Sequence, residues 1–397
     1  MKPLRLLVPV VLAVAVASPL SAQSLFATRG LGLPMAPLDA RARALGGIGV
    51  GLIGFDMSHG NPASIAGLGR RGIVASMQPG SASPSIDGQT GDISAARFPL
   101  IRLALPVGGR FVASLGYASV LEQSWSISAS GTEIIGSDTI GTRDVIGAVG
   151  GVSRLGLGLA WRISPNVSVG VTGGLYTGNL ERRITRTFSD STIGLQPFDT
   201  RLQWDYAGTW GAAGVRFDLP GVARVGASLS MSSDLEVNGI SEGARDDRAA
   251  MPMVFTAGAS GVLSSVLTMA AGAEWSGGAA GRSLQAEDAI SFRRDTWRVG
   301  GGLEYIGWAG DTRTYPVRLG VNWAQLPFHD EDETPASEWA AALGFGLTVT
   351  GDAASPLAVL DMAVERGRRF GLESAAVPGG LTESFWRWTF SLSLFGI

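Results

Sequence analysis

The chain has no cysteine, only two histidines, and 16% charged residues over 397 positions. Each scarcity excludes something. Without cysteine there is no disulfide framework, no thiol chemistry and no lipid-modified N-terminal cysteine. Ordinary proteins are about 25% charged, so the low charge argues against a soluble enzyme of this size. A disordered chain fails in the opposite way, because 45% of the residues are hydrophobic. A membrane helix needs about 20 consecutive apolar residues, and beyond the N-terminus no such run occurs. The formal net charge of −3 is too small to point to a nucleic-acid partner.

What is abundant is glycine, 57 residues, roughly double the average usage of about 7%. A chain that is apolar overall without long apolar runs fits one remaining class, the transmembrane antiparallel β-barrel, an all-β fold. From residue 71 onward the pattern agrees. Phe111, Ala113, Leu115, Tyr117, Leu121, Trp125 and Ile127 alternate with small or polar residues. Leu155, Leu157, Leu159 and Trp161 alternate with Gly156, Gly158 and Ala160, and Trp339, Ala341, Leu343, Phe345 and Leu347 continue the pattern downstream. Successive strand side chains point to opposite faces, so one face is apolar and the other small or polar.

Short links at 107–110, 164–166, 218–222, 263–265, 309–313 and 351–355 alternate with longer polar ones at 129–145, 188–198, 239–250, 277–293, 326–337 and 365–382. With a first strand near 72–79 and a last near 384–396, this predicts about 14 strands, tight periplasmic turns, long outer loops, and both termini on the periplasmic side. Trp125, Trp204, Trp275, Trp297, Trp323, Trp339, Trp386 and Trp388 fall toward the outer strand ends, Trp161 and Trp308 toward the inner ends, and Trp210 in mid-strand. Tryptophans clustered at strand ends suit the aromatic girdles of a membrane barrel.

The N-terminus reads as an export signal over residues 1–22: a basic start with Lys2 and Arg5, an apolar stretch from Leu6 to Val16, and small residues before a cleavage site after Ala22. Residues 23–70 show no sustained alternation and form a separate segment before the barrel at 71–397. It contains Asp39-Ala40-Arg41-Ala42-Arg43-Ala44-Leu45-Gly46-Gly47, then Asp56, then Asn61-Pro62-Ala63-Ser64-Ile65-Ala66-Gly67-Leu68.

That block resembles the N-terminal signature of the FadL/TodX-like outer-membrane transport proteins and their PorV-like relatives, an Ala-Arg-Ala-x-Met-Gly-Gly-Ala block followed by an acidic residue and Asn-Pro-Ala-Gly-Leu. Here Leu45 and Ile48 depart from the pattern, and Ser64-Ile65-Ala66 intervene before Gly67-Leu68. The resemblance implies a 14-stranded barrel whose N-terminal segment folds into the lumen as a hatch, with Gly46, Gly47, Asp56, Asn61, Pro62 and Ala63 as hatch and gating residues. It also implies passive uptake of hydrophobic compounds, long-chain fatty acid-like or aromatic. The alternative is a PorV-like anchor for secreted proteins that transports no small molecule.

Inward positions are mostly Gly, Ala, Ser and Thr, with polar exceptions at Arg298, Glu304, Arg318, Asp361 and Glu365. An open aqueous pore would need more charge, so the lumen is expected to be plugged. Neither His59 nor His329 falls on an expected strand, so no serine–histidine pair is set up for hydrolysis and no enzyme activity is expected. No cofactor or metal is implied; Asp330, Glu331, Asp332 and Glu333 offer calcium-type oxygens without an EF-hand spacing. Trp386, Trp388, Phe390, Leu392 and Leu394 share one face of the last strand. That strand resembles the signal read by the barrel-assembly machinery, although Phe395 stands two residues short of the end. The expected partners are this machinery, outer-membrane lipid and a hydrophobic ligand, and the expected state is a monomer.

Overall fold

In the computed structural model of the chain, the alternating segments pair edge to edge into one antiparallel sheet. It describes residues 24–396 apart from 37, 87–88, 91–92, 136–137, 190–194, 278–294, 311, 330–333, 353–354 and 373–379. The export signal at 1–22 and the acidic residues Asp330, Glu331, Asp332 and Glu333 lie outside the described residues. The strands are β1 (Gly72–Ile86), β2 (Ile93–Pro106), β3 (Phe111–Glu122, continuing as Trp125–Ile135), β4 (Asp138–Arg162) and β5 (Val167–Phe188). There follow β6 (Phe198–Leu219), β7 (Ala223–Ser232, continuing as Leu235–Gly239), β8 (Val254–Ser264), β9 (Leu267–Ser276) and β10 (Thr296–Tyr305). The last four are β11 (Val317–His329), β12 (Pro335–Asp352), β13 (Ser355–Gly371) and β14 (Leu381–Phe395).

The barrel has 14 strands and is closed by β1 pairing with β14, Gly72 opposite Phe395 and Ile86 opposite Leu381. Closure follows from the solvent: lipid cannot satisfy backbone N–H and C=O groups, and a barrel pairs them without leaving an edge in the bilayer. The outward side chains are those the alternation selects, with Leu155, Leu157 and Leu159 exposed and Gly156 and Ala160 turned in. Trp275 lies opposite Trp297 and Trp323 opposite Trp339, while Trp386 and Trp388 stack with ring centroids 6.2 Å apart. Both ends of the barrel sequence, Gly72 and Phe395, lie at the end with the short turns.

Three local expectations are corrected. Residues 326–329 and 365–371, expected in long loops, extend β11 and β13, so His329 ends a strand rather than lying in a loop. Residues 129–145 are not an irregular loop but a hairpin, with Trp125–Ile135 pairing along the start of β4. Leu121 and Trp125 do not share the lipid face of Phe111, because a bulge between Ser119 and Leu121 shifts the register. One extra residue turns every later side chain to the other side. Leu121 is therefore buried, and Trp125 packs against the inner cluster around it.

The segment from Ser24 to the start of β1 lies inside the lumen. It runs through a 3-10 turn (Leu25–Thr28), a two-residue strand (Leu33–Pro34), the short helix α1 (Ala40–Ala44) and a second 3-10 turn (Pro62–Gly67). Its apolar side chains supply much of the core: Phe26 packs with Phe328 and Leu326 at the outer end, and Ile65 and Met57 with Val74, Leu100 and Phe395 at the inner end.

One edge of β3 is covered in an unusual succession. Its pairing with β2 runs from Val112 to Ala118, which faces Leu100. Just beyond, β2 reaches Pro99, which has no N–H to donate, and β2 continues along β1 instead. Over Val120, Leu121 and Glu122 the partner is the luminal segment: Leu33 pairs with Glu122, Pro34 with Leu121, and the Met35 N–H donates to the Val120 carbonyl at 2.8 Å. Among the described residues, β2 and β3 are unzipped at that level, and the luminal segment fills the gap.

Candidate functional site

The luminal segment is held at three levels, each built from a cap or tight turn that aims backbone groups at the wall. At the outer level Ser24 caps the first turn, accepting from the Phe26 N–H, and its hydroxyl donates to Glu383 at 2.9 Å. Glu383, wholly buried on β14, also takes the Leu25 N–H at 3.0 Å and pairs with Arg369. The chain of charges continues from Arg369 to Glu338 at 2.7 Å, from Arg387 to Glu338 at 3.4 Å and to Glu365 at 2.8 Å, and from Arg43 to Glu365 at 3.4 Å.

At the middle level Asp39 caps α1 by accepting the Ala42 N–H at 2.8 Å, and the Ala40 N–H donates to Ser391 on β14 at 2.7 Å. Arg41 leaves α1 with both Nε and Nη2 on Glu304, at 2.9 and 2.8 Å. The same carboxylate receives Arg318 at 2.6 Å, and Arg318 reaches Asp361 at 2.6 Å. Two acids and two arginines, nearly all buried, thus tie α1 to β10, β11 and β13. A buried ion pair is expensive to desolvate and gains its value from complete partnering. Here every member has a partner.

After α1 the chain runs against glycines of the wall. Gly226 lies beside Gly258, Gly258 beside Gly272 and Gly272 beside Gly300, a row crossing β7 to β10. Gly46, at φ +92°, fits between Gly301 and Val321 with no room for a Cβ. Glycine at both surfaces is what permits this backbone-to-backbone approach.

At the inner level Asn61 caps the Pro62–Gly67 turn, accepting the Ala63 N–H at 2.8 Å and donating to the Val215 carbonyl of β6 at 3.0 Å. Pro62 sits at the first position of that turn, where its missing N–H costs nothing. Arg216 donates to the Ser64 carbonyl at 2.5 Å, and Arg102 donates to that of Ser58. Asp56 is buried and accepts the Ser58 N–H at 2.7 Å. The His59 ring lies 5.7 Å from that of Trp210, and Arg154 donates to its Nε2 at 3.1 Å while its guanidinium stands 4.5 Å from the Trp210 centroid. His59 is on the luminal segment, not on a strand; burial first, and then the Arg154 and Arg102 cations, push its pKa well below the ordinary 6.5.

Between this segment and the wall is a cavity of about 170 Å³, bounded on one side by Pro34, Met35, Leu38, Gly47 and Val50 and on the other by Arg154, Thr256, Glu274, Arg298 and Leu326. Glu274 and Arg298, cross-strand neighbours on the wall side, approach to 3.7 Å. Its residues near Pro34 and Met35 belong to the stretch that fills the unzipped β2–β3 level, so cavity and gap share one lining.

The structure distributes the sequence-derived residues over the three levels, the cavity and the glycine row. Glu304, Arg318 and Asp361 meet at the middle level, Glu365 joins the outer chain of charges, and Arg298 faces the cavity. Gly46 and Gly47 lie at the glycine row, and Asp56, Asn61, Pro62 and Ala63 at the inner level. Sequence reasoning placed Arg41 and Arg43 within the N-terminal block without giving them a role, and assigned none to Arg154, Glu338, Arg369, Glu383 and Arg387. A signal was present for Glu383 and Arg387 as well, since they alternate with Trp386 and Trp388 on β14. The lumen therefore holds more charge than expected, paired rather than lining a water channel.

A family model described as BamG matches residues 1–220. No curated protein sequence matches the chain. Among solved structures the chain is similar to a Pseudomonas aeruginosa FadL homologue, at 15% identity, 91% of this chain, 98% of that one and a TM-score of 0.59. It is similar to the Ralstonia pickettii toluene transporter TbuX at 16% identity, 94% and 100% coverage and a TM-score of 0.54. The Pseudomonas putida toluene transporter TodX follows at 13% identity, 93% and 100% coverage and a TM-score of 0.55. At these identities the likeness is one of fold.

Proposed function

The chain belongs to the BamG family and has the FadL/TodX barrel fold, and from that premise we propose that it is an outer-membrane barrel for passive uptake of small hydrophobic compounds. Residues 1–22 are an export signal removed on the way to the membrane, residues 23–70 the hatch and residues 71–397 the barrel. The observation that carries the reading is the shared lining of the cavity and the β2–β3 gap. A hydrophobic molecule held between hatch and wall needs only the two or three backbone pairings of residues 33–35 with β3 to give way before it can leave sideways into lipid. Such a route spares it a passage through water.

The cavity size narrows the ligand class. Benzene needs about 150 Å³, so a cavity of about 170 Å³ has room for a single ring and not for an extended fatty acid, although Arg154, Glu274 and Arg298 make one side of it polar. TodX and TbuX are toluene transporters by their own descriptions. The chemistry is binding and release without covalent change.

The absence of native cysteine makes a direct test possible. Pro34→Cys with Leu121→Cys places two thiols on paired residues, a separation a disulfide spans. Liposomes carrying this variant should take up labelled toluene when reduced, stop when oxidised and resume on reduction. Uptake that ignores the crosslink would overturn the sideways route. Wild-type liposomes no faster than empty ones would overturn transport altogether.

A further inference from the structure

Above the membrane the same edge of β3 has no pairing partner among the described residues. Strands β4, β5 and β6 have 25, 22 and 22 residues, whereas a tilted crossing takes about 9–11. Their outer halves, with Trp125–Ile135 of β3, stand clear of the bilayer as a blade carrying exposed ion pairs such as Arg183 with Asp199 at 2.9 Å and Arg186 with Asp144 at 2.7 Å. Among the described residues, Trp125–Ile135 pairs with β4 and with nothing on its other side. Every residue from 126 to 134 is exposed, Ile127 at 44% and Ile134 at 75%.

Long edge strands are normally guarded by lysine, proline, a bulge or a covering loop, because their free N–H and C=O groups attract another strand. This one is Trp-Ser-Ile-Ser-Ala-Ser-Gly-Thr-Glu-Ile-Ile, without lysine or proline, and its one charge, Glu133, is held by Arg186 at 3.0 Å. Residues 33–35 run antiparallel along β3 up to Glu122; at Gly32, with φ +92°, the chain turns, and the Leu25–Thr28 turn comes up against the Trp125 end of this strand without pairing with it.

We propose that Trp125–Ile135 receives an extended segment of another protein at the outer face of the membrane by strand addition. The occupant is a neutral segment of about ten residues, without proline, rich in threonine, serine and β-branched residues; backbone pairing supplies affinity and alternate side chains supply selectivity. The mode already operates on this edge, since residues 33–35 complete β3 one level below in the same antiparallel sense. A second copy does not fit: two barrels in one membrane both present this strand running outward, and antiparallel pairing requires opposite directions.

The test is hydrogen–deuterium exchange of the full-length protein in nanodiscs, with a peptide of alternating threonine and valine, kept neutral by one lysine and one glutamate at its ends, as probe. Without peptide, amides of residues 125–135 that face away from β4 should exchange as fast as those of a free edge. Saturating peptide should slow them by about tenfold or more, and only there. Ser128→Lys with Ser130→Lys should raise the peptide Kd by about tenfold or more while leaving the β3–β4 amides protected. Ser126→Lys with Thr132→Lys serves as a second variant if the first does not fold. The proposal is overturned if these amides are already protected in the free protein, if the peptide leaves them unprotected, or if the lysine variants bind it equally. Because the readout is confined to the blade, failure here is distinguishable from failure of the uptake reading.

Discussion

The amide oxygen of Asn61 occupies the space that a Cβ on Gly214 would fill, so the inner turn of the luminal segment is seated against a wall position open only to glycine. Gly214→Val should unseat that turn without breaking the pairing of β5 with β6. Overpacking of this kind costs about 1–3 kcal/mol, which raises the open population of residues 58–66 by roughly 5- to 160-fold. Hydrogen exchange of the amides at residues 58–66 in the intact barrel should accelerate accordingly. An unchanged exchange rate there would show that the seat does not restrain the luminal segment.

Arg318 stands between Glu304 and Asp361, and removing it leaves two buried acids with Arg41 alone. Arg318→Met should destabilise the barrel by about 3–5 kcal/mol, the usual effect of breaking a buried ion pair from one side. The temperature at which the folded band disappears on unboiled gels should fall markedly. Adding Asp361→Asn should restore part of the loss, because one of the unpaired charges is then gone. A double variant no better than the single would refute the pairing as the cause.

His59 has its folded pKa below the unfolded value of 6.5. Below pH 6.5 the released histidine binds a proton that the docked one refuses, so docking of the inner turn is full above that pH and weakens as pH falls, by up to about tenfold per unit. Exchange at residues 56–64 should therefore quicken from pH 7.5 to pH 5 in the wild type. A His59→Gln barrel should show a flatter response, after correction for the intrinsic pH dependence of exchange. Equal slopes would remove His59 from the explanation.

Ser230 lines the cavity from β7. Ser230→Trp should fill much of its roughly 170 Å³ and lower toluene uptake in liposomes by about tenfold while the barrel remains folded. Full uptake by a folded Ser230→Trp protein would move the ligand path elsewhere in the lumen.

Alternation made the barrel legible. Leu155, Leu157 and Leu159 against Gly156 and Gly158 needed no partner to reveal two faces, because period two is a local property of the backbone. The Asn61-Pro62-Ala63 turn was legible for the same reason, its cap being contained within three residues. Pairings across long stretches of chain were not. Nothing local announces that Arg41 reaches Glu304 or that Ser24 reaches Glu383; register and closure decide both. The bulge at Ser119 and Leu121 defeated the alternation because one inserted residue leaves the composition of a strand unchanged while reversing its faces.

The closing strand has a second duty. β14 zips to β1 along one edge, and from its inner face Glu383 and Ser391 grip Ser24 and the backbone of Ala40. Opening the β1–β14 seam would therefore also loosen the luminal segment at its outer and middle anchors, so closure of the cylinder and retention of its filling depend on the same strand.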